Sequence, residues 1–291
     1  MPDTDTGSFP SPPQNTLKTP PVRTTQRHIN TYCDGHVHTR LCHHATGEME
    51  EYVQSAIACG LQELIFLEHM ETGINYLEPA WLTEEDFDYY FKEGERLKKK
   101  YAGRIHLGLG VELGYNRECK EDIQERLAAR KWDRVGISCH YLRYDQEGTH
   151  INLLSRNPAN FPLARAVGTR KILNDYFDDL TEAVQTLPGT TLCHLDAALR
   201  HLPETEYLPV HETKIRKLLG AVKEKEMAVE INTSGFPFRN MPFPARAILA
   251  IVLEMNIPLT LGSDAHSPEQ VGRHFDEVPD YINSVFQTLP S

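Results

Sequence analysis

Seven short apolar runs, most of them closing on a histidine or a carboxylate, constrain this chain more than any other feature. The first is Tyr32 to His38, and Leu64 to Leu67 leads into Glu68-His69. Ile105 to Val111 ends at Glu112, Arg134 to Cys139 at His140, and Thr190 to Cys193 at His194. Ala228 to Asn232 follows, and Pro258 to Leu261 runs into Gly262-Ser263-Asp264-Ala265-His266. Helical stretches separate the runs. Glu48 to Cys59 stops at Gly60, a helix C-cap. Thr83 N-caps a helix with Glu84, Glu85 and Asp86 in its first turn and Lys98-Lys99-Lys100 in its last, charges that suit the helix dipole. Further helices are predicted from about Glu118 to Arg130, Arg170 to Leu187 and His211 to Glu226, and from near Pro244.

Crossovers long enough to hold helices imply parallel pairing. Right-handed crossovers in this number predict an α/β fold, a distorted TIM-like (β/α)7 barrel forming a single domain. A doubly wound open sheet shares the alternation and is the structural alternative. The 291 residues permit one large domain or two, and 40% hydrophobic residues suffice for a sizeable core. Met1 to about Asn30 carries Pro10, Pro12, Pro13, Pro20 and Pro21 among Ser, Thr, Asp and Gln, without helical or strand period. Residues 1–31 are therefore expected to be a disordered Pro/Thr-rich extension, and 32–291 the folded domain.

A net charge of −11 argues against a dedicated nucleic-acid binder, although a local basic groove fits within an acidic total. No apolar run reaches the roughly 20 residues of a bilayer span, and no secretory signal is visible. The expectation is a cytoplasmic enzyme with neither nucleic acid nor membrane as partner; the sequence does not give the oligomeric state. The six cysteines form no CxxC pair, and free thiols are expected.

The 14 histidines carry more information. His36 and His38 lie at i, i+2 and share one face of a strand. His69, Glu112, His140, His194, Asp264 and His266 fall at later strand ends, which in a barrel converge on one mouth. Imidazole with carboxylate and no thiolate is the donor mixture for Zn, Mn or Fe acting on oxygen substrates. Any one of these residues alone is more often a hydrogen-bonded structural group. The whole set is not explained by packing, because gathering so many titratable groups without a cation is costly.

Asp34-Gly35-His36-Val37-His38 resembles the opening DxHxH motif of the polymerase-and-histidinol-phosphatase (PHP) superfamily. His36-Val-His-Thr-Arg-Leu-Cys-His-His44-Ala is similar to its histidinol-phosphatase branch, which puts His44 rather than His43 in a ligand position. Glu68-His69, Gly110-Val-Glu112, Ser138-Cys-His140, Cys193-His194-Leu-Asp196, Asn232-Thr-Ser-Gly235 and Gly262-Ser-Asp-Ala-His266 match the branch's other motifs in order. The resemblance spans Cys33 to Phe275. It implies a trinuclear divalent metal centre: His36, His38, Glu112 and Asp264 on one metal, Glu112 bridging to a second with His140 and His194, and His44, His69 and His266 on a third. Glu112, Asp264 and His266 would carry the catalysis. It also implies hydrolysis of a small phosphate ester, L-histidinol phosphate, in histidine biosynthesis. Metals held close together supply a hydroxide at neutral pH and neutralise charge developing at phosphorus.

Asp34, Glu68 and Asp196 either orient ligand imidazoles or are ordinary strand-end carboxylates. Arg239 follows Asn232-Thr-Ser-Gly235 where relatives carry a basic residue and is a candidate phosphate clamp; Arg143, Arg156 and Arg165 are rivals, and each arginine taken alone is more often surface charge. Neighbours on an extended chain point apart, so with His44 turned inward His43 is expected to face away from the metals. His28, His106, His150, His201, His211 and His274 are read as surface or packing residues, and Trp81 and Trp132 as core or rim aromatics. A nucleotide phosphatase or 3′–5′ exonuclease would keep the centre and change the substrate. A non-catalytic metal-binding domain would show lost ligand positions, and here none is lost. An amidohydrolase or deaminase commonly adds a lysine or a general-acid Glu beside the metal, and no clear lysine stands at a strand end.

Overall fold

A computed structural model describes residues 29–202 and 204–289. The expected N-terminal extension therefore lies outside the described residues, apart from its last three positions, where Ile29 packs against the core. Strands β1 (Cys33–Val37), β2 (Glu63–Met70), β3 (His106–Gly114) and β4 (Val135–Ser138) pair in parallel in chain order. A short antiparallel hairpin, β5 (Tyr141–Arg143) and β6 (His150–Asn152), interrupts the series. The parallel sheet resumes with β7 (Thr191–Leu192), β8 (Ala228–Asn232) and β9 (Leu259–Gly262), completing a seven-stranded order β1-β2-β3-β4-β7-β8-β9. The fold is a nearly closed, TIM-like parallel barrel.

The helices in chain order are α1 (Met49–Ala58), α2 (Glu84–Lys100), α3 (Lys120–Ala128), α4 (Asn160–Val167), α5 (Thr169–Thr186), α6 (Pro209–Glu224), α7 (Phe236–Arg239), α8 (Arg246–Glu254) and α9 (Val278–Phe286). Each expected helix is present within a few residues of its predicted ends. The stretch predicted from Glu118 begins instead as a 3-10 turn over Arg117–Cys119 before α3. The hairpin and α4 fill the long connection after His140, where the sequence pattern showed no element. α1 illustrates the outer layer: Met49, Tyr52, Val53 and Ala56 recur at helical spacing and are buried.

Strand alternation sorts side chains between two cores. Leu64 and Phe66 of β2, Leu107, Leu109, Val111 and Leu113 of β3, and Val229 and Ile231 of β8 face the helices. Ile65 and Leu67 turn inward and meet Cys33 and Cys193 in a small separate cluster. The same parity sends His69, Glu112 and Glu230 inside. In β1 the register shifts between Asp34 and Val37, so that Cys33 faces the interior cluster while Val37 joins the outer core. The irregularity leaves His36 and His38 on the inner face.

The seam between the last strand and the first is closed above the strand pairs. Val37 bridges Ala265, the His38 N–H donates to the Ala265 carbonyl at 2.9 Å, and the Asp264 N–H donates to the His36 carbonyl at 2.9 Å. Asp34 reinforces it from within. Its carboxylate accepts the Ser263 N–H at 2.9 Å, the Gly272 N–H at 2.9 Å and the His36 N–H at 3.3 Å. Fully buried, Asp34 joins β1 to the segment after β9 and touches no imidazole, so of its two readings the ligand-orienting one does not hold. Asp34→Ala would strand these donors, each at about 1–3 kcal/mol. Urea unfolding of the metal-free variant should show a loss of about 2–5 kcal/mol; a loss below about 1 kcal/mol would mean the seam does not depend on this carboxylate.

Candidate metal centre

Glu112, 0% exposed near the end of β3, is the point on which the inward histidines converge. Its Oε2 lies 3.0 Å from His69 Nδ1, 3.3 Å from His36 Nε2 and 3.5 Å from His38 Nε2. Its Oε1 lies 2.6 Å from His194 Nε2 and 3.0 Å from His140 Nε2. The two oxygens thus face two different groups of imidazoles. Asp264 adds a second carboxylate, with Oδ1 3.3 Å from His38 Nε2, 3.5 Å from His266 Nδ1 and 3.9 Å from His36 Nε2. Asp264 has a left-handed backbone, φ 52°. His44 reaches the cluster from the turn after β1, its Nε2 2.8 Å from His266 Nε2. All nine residues with metal-ligand spacing in the sequence meet in this one volume.

Hydrogen bonds at the far side of each ring define what the near side offers. His44 Nδ1 meets the Cys42 carbonyl at 2.9 Å, and His266 Nδ1 meets the Asp264 carbonyl at 3.0 Å. A carbonyl only accepts, so both Nδ1 atoms carry the proton and both Nε2 lone pairs point at each other. His36 is held likewise, Nδ1 to Glu230 at 2.6 Å, with Nε2 2.9 Å from His38 Nε2. His140 binds Glu71 through Nδ1 at 2.7 Å. Facing lone pairs at such distances repel unless a cation lies between them. The donor set therefore fits divalent metals. Triplets whose ligand atoms lie within 4.8 Å of one another include His36, His38 and Asp264, and His38, His69 and His266. Cys193 falls within that reach of His36 and Glu112, and Cys42 of His44 and His266, so thiols border the centre that the sequence described as free of them.

The electrostatics agree. Burial alone would raise the Glu112 carboxyl, but His140, His36, His69 and His194 hold it well below the usual carboxylate range. Burial, and then His69 and His266, push His38 well below an ordinary imidazole. For His140 burial acts downward and is outweighed by Glu112 and Glu71, which lift it to about 10.

Above the centre opens a cavity of about 820 Å³, with His43, Tyr76, Glu78, Asn152, Arg156, Arg200 and Arg273 among its lining residues. The Arg200 guanidinium is buried, and its Nε and Nη1 have no hydrogen-bond partner. Burial pushes its pKa down, opposed by Asp264. Arg273 donates to the Ser263 carbonyl at 2.9 and 3.1 Å and to the Asp264 carbonyl at 3.2 Å.

Arg239, Arg143 and Arg165 do not line this cavity. Arg239 lies over the Phe243 ring at 3.7 Å, pairs with Asp196 at 3.1 Å and donates to the Met241 and Pro242 carbonyls. Its donors are spent within its own turn, because Phe236-Pro237-Phe238 winds into α7 and tucks the side chain under it. Arg143 is bound to Glu118 and to the Asp145 and Gln146 carbonyls, and Arg165 to Glu204. Arg156, named as their rival, does reach the cavity; Arg200 and Arg273 were missed.

Asp196 serves Arg239 and the Ala245 N–H rather than an imidazole. Glu68 accepts the Thr39 N–H at 2.9 Å and hydroxyl at 2.6 Å, pinning the chain just after His38. The carboxylates that do hold imidazoles of the cluster are Glu71, on His140, and Glu230, on His36, neither of which the sequence pattern marks. The one available signal was an acid inside the apolar strand Ala228–Asn232. His43 caps a 3-10 turn with φ 66°, not an extended segment, and is exposed among the residues that line the cavity. His28 lies outside the described residues. His150 and His211 are buried packing residues, while His106 pairs with Glu63 at the surface.

Among the described residues no helix is long and apolar enough to cross a membrane, and all six cysteines are unpaired. A protein from Deinococcus radiodurans named "Probable histidinol-phosphatase" is 29% identical over 260 residues, covering 87% of this chain and 93% of that protein. The crystal structure of a provisionally named histidinol phosphatase from Listeria monocytogenes superposes with a TM-score of 0.76 at 22% identity, over 84% of this chain and 99% of the other. The histidinol phosphate phosphatase of Lactococcus lactis, solved with Zn, L-histidinol and phosphate, gives a TM-score of 0.68 at 20% identity, over 87% and 93% of the two chains. At those identities the two structures bear on the fold. The model of the PHP domain matches residues 34–234 and that of the PHP-associated region residues 246–287. A match that runs from Asp34 in β1 through β8 and takes in seven of the nine converging residues, all but the two after β9, continued by the associated region, means that this chain belongs to the PHP family.

Proposed function

We propose that this chain is a metal-dependent phosphomonoesterase that hydrolyses L-histidinol phosphate to L-histidinol and inorganic phosphate. The observation that carries the reading is the division of the Glu112 carboxylate between two groups of imidazoles beneath an arginine-lined cavity. His36, His38, Glu112 and Asp264 would hold one metal, with Glu112 bridging to a second held by His140 and His194. His44, His69 and His266 would hold a third. The donors suit Zn, Mn or Fe, and the zinc in the Lactococcus lactis enzyme supports Zn among them.

When bound, divalent metals supply Lewis acidity towards phosphate oxygens and an activated water near neutral pH. The chain's own residues supply the rest. Arg200 and Arg156 both line the cavity, and the Arg200 guanidinium keeps N–H groups without a hydrogen-bond partner, so the two can clamp the phosphate dianion. Arg273 is tied to the backbone around Asp264 and stiffens the floor of the site. Glu78 offers a carboxylate to the substrate's ammonium, and Tyr76 an aromatic edge to its imidazole. Attack of water at phosphorus forms a new P–O bond as the bond to the alcohol breaks, and the proton that the water gives up ends on the departing alcohol. A nucleotide would bring further negative charge past Glu78 on a chain of net charge −11.

Protein produced in metal-supplemented medium should carry about three transition-metal ions per chain by elemental analysis. Less than about one ion with activity retained would end the trinuclear reading. Glu112→Gln, nearly isosteric but a poor bridge, should lower kcat at least about a hundredfold while the circular dichroism spectrum persists. Unchanged turnover at full metal occupancy would put Glu112 outside the chemistry.

For wild-type protein, kcat/KM on histidinol phosphate should exceed that on nucleoside monophosphates at least about tenfold, a difference of about 1.4 kcal/mol. A preference for nucleotides, or release of nucleotides from single-stranded DNA, would replace the substrate and leave the phosphoesterase reading standing. Arg200→Ala should cut kcat/KM about tenfold to a hundredfold. Arg239→Ala should lower Tm with little change in KM; a large KM effect would return the clamp to Arg239.

A further inference from the structure

Two of the ligand histidines are oriented by carboxylates that do not sit on a neighbouring strand. Glu230 belongs to β8, and its partner His36 to β1, with β9 between them in the barrel order. Glu71 directly follows β2, and its partner His140 follows β4, with β3 between. Each carboxylate must cross the inner face of the intervening strand, and each crosses it at a glycine. A Cβ placed on Gly262 of β9 would overlap Glu230 Oε1 and stand 2.6 Å from the Cβ of His36. A Cβ on Gly114 of β3 would overlap both Glu71 oxygens. Neither glycine has a positive φ, so backbone conformation does not require glycine at either place. The missing side chain is what each site uses.

We propose that Gly262 and Gly114 are windows through which Glu230 and Glu71 act as positioning residues, fixing the tautomer and ring plane of His36 and His140 from two strands away. The proposal rests on the metal reading above. Both carboxylates are buried, Glu230 at 2% and Glu71 at 4% exposed, and both histidines direct Nε2 towards Glu112. Glu230 is itself fixed, its Oε2 accepting the His194 N–H at 3.1 Å and the Asn232 side-chain amide at 3.0 Å. One acid thereby sets the ring of His36 and the backbone of His194. Those two residues stand on opposite oxygens of Glu112. A carboxylate on the far nitrogen of a ligand imidazole raises its basicity and locks its orientation, and its removal typically costs about 10–100-fold in metal affinity.

The test is metal retained per chain after dialysis of the full-length protein against a graded chelator, with Tm of the metal-free protein read alongside. Gly262→Ala and Gly114→Ala should each weaken retention at least about tenfold, as should Glu230→Gln and Glu71→Gln. Combining Gly262→Ala with Glu230→Gln should be no worse than the worse single variant, since both act through one contact. In reloaded protein kcat should fall while KM stays within about twofold. Glycine variants that hold metal as wild type does, or losses that add in the double variant, would overturn the windows. If the alanine variants fail to fold, the two glutamine variants decide: wild-type retention in both overturns the proposal. A wild-type chain that binds no metal overturns this proposal and the metal reading together. Metals bound without turnover of histidinol phosphate would overturn the substrate alone, and retention would still judge the windows.

Discussion

Five imidazoles drawn to one buried carboxylate is the interaction on which the rest of this structure depends. Glu112 has no exposure to water, and a bare carboxylate there would be intolerable. Its five partners come from β1 and the residue after it, from β2, and from the segments after β4 and β7, so a single side chain on β3 sets where four parts of the barrel must end. The barrel interior below is correspondingly modest, a few apolar side chains around Ile65 and Leu67. Most apolar burial takes place in the outer layer between strands and helices, which leaves the upper interior to polar residues.

The strands and their polar ends were readable because both follow from period. Alternation sends every second residue inward, and the last inward residue before a loop stands at the mouth. His69, Glu112, His140 and His194 were legible for that reason. His36 and His38 were assigned to one face correctly, although β1 is irregular and its parity changes after Asp34. The spacing could not reveal that irregularity, since a displaced register leaves no mark on residue type.

What lay beyond the sequence was reach. Glu230 and Glu71 act across an intervening strand, and the position of a partner two strands away depends on the order in which strands close. The arginines divide on the same ground. Arg239 follows a recognisable motif, yet its turn folds it back onto Asp196 and Phe243. Arg200 stands in the bend after β7 and Arg273 beyond β9, and no local pattern marks either as turned towards the cavity. Hairpin β5–β6 was invisible because three-residue strands are too short to display a period.

The seam of the barrel has a consequence for how the protein comes into being. His36 belongs to the first strand and His38 directly follows it, whereas Asp264 and His266 follow the last, and the carbonyl of His36 meets the amide of Asp264. Synthesis runs from one end to the other, so β1 through β8 emerge before the residues that complete the ring. A growing chain can gather histidines around Glu112 early, but it holds only part of the cluster until residues 259–266 have left the ribosome. The cluster is therefore complete only once both ends of the barrel have been made.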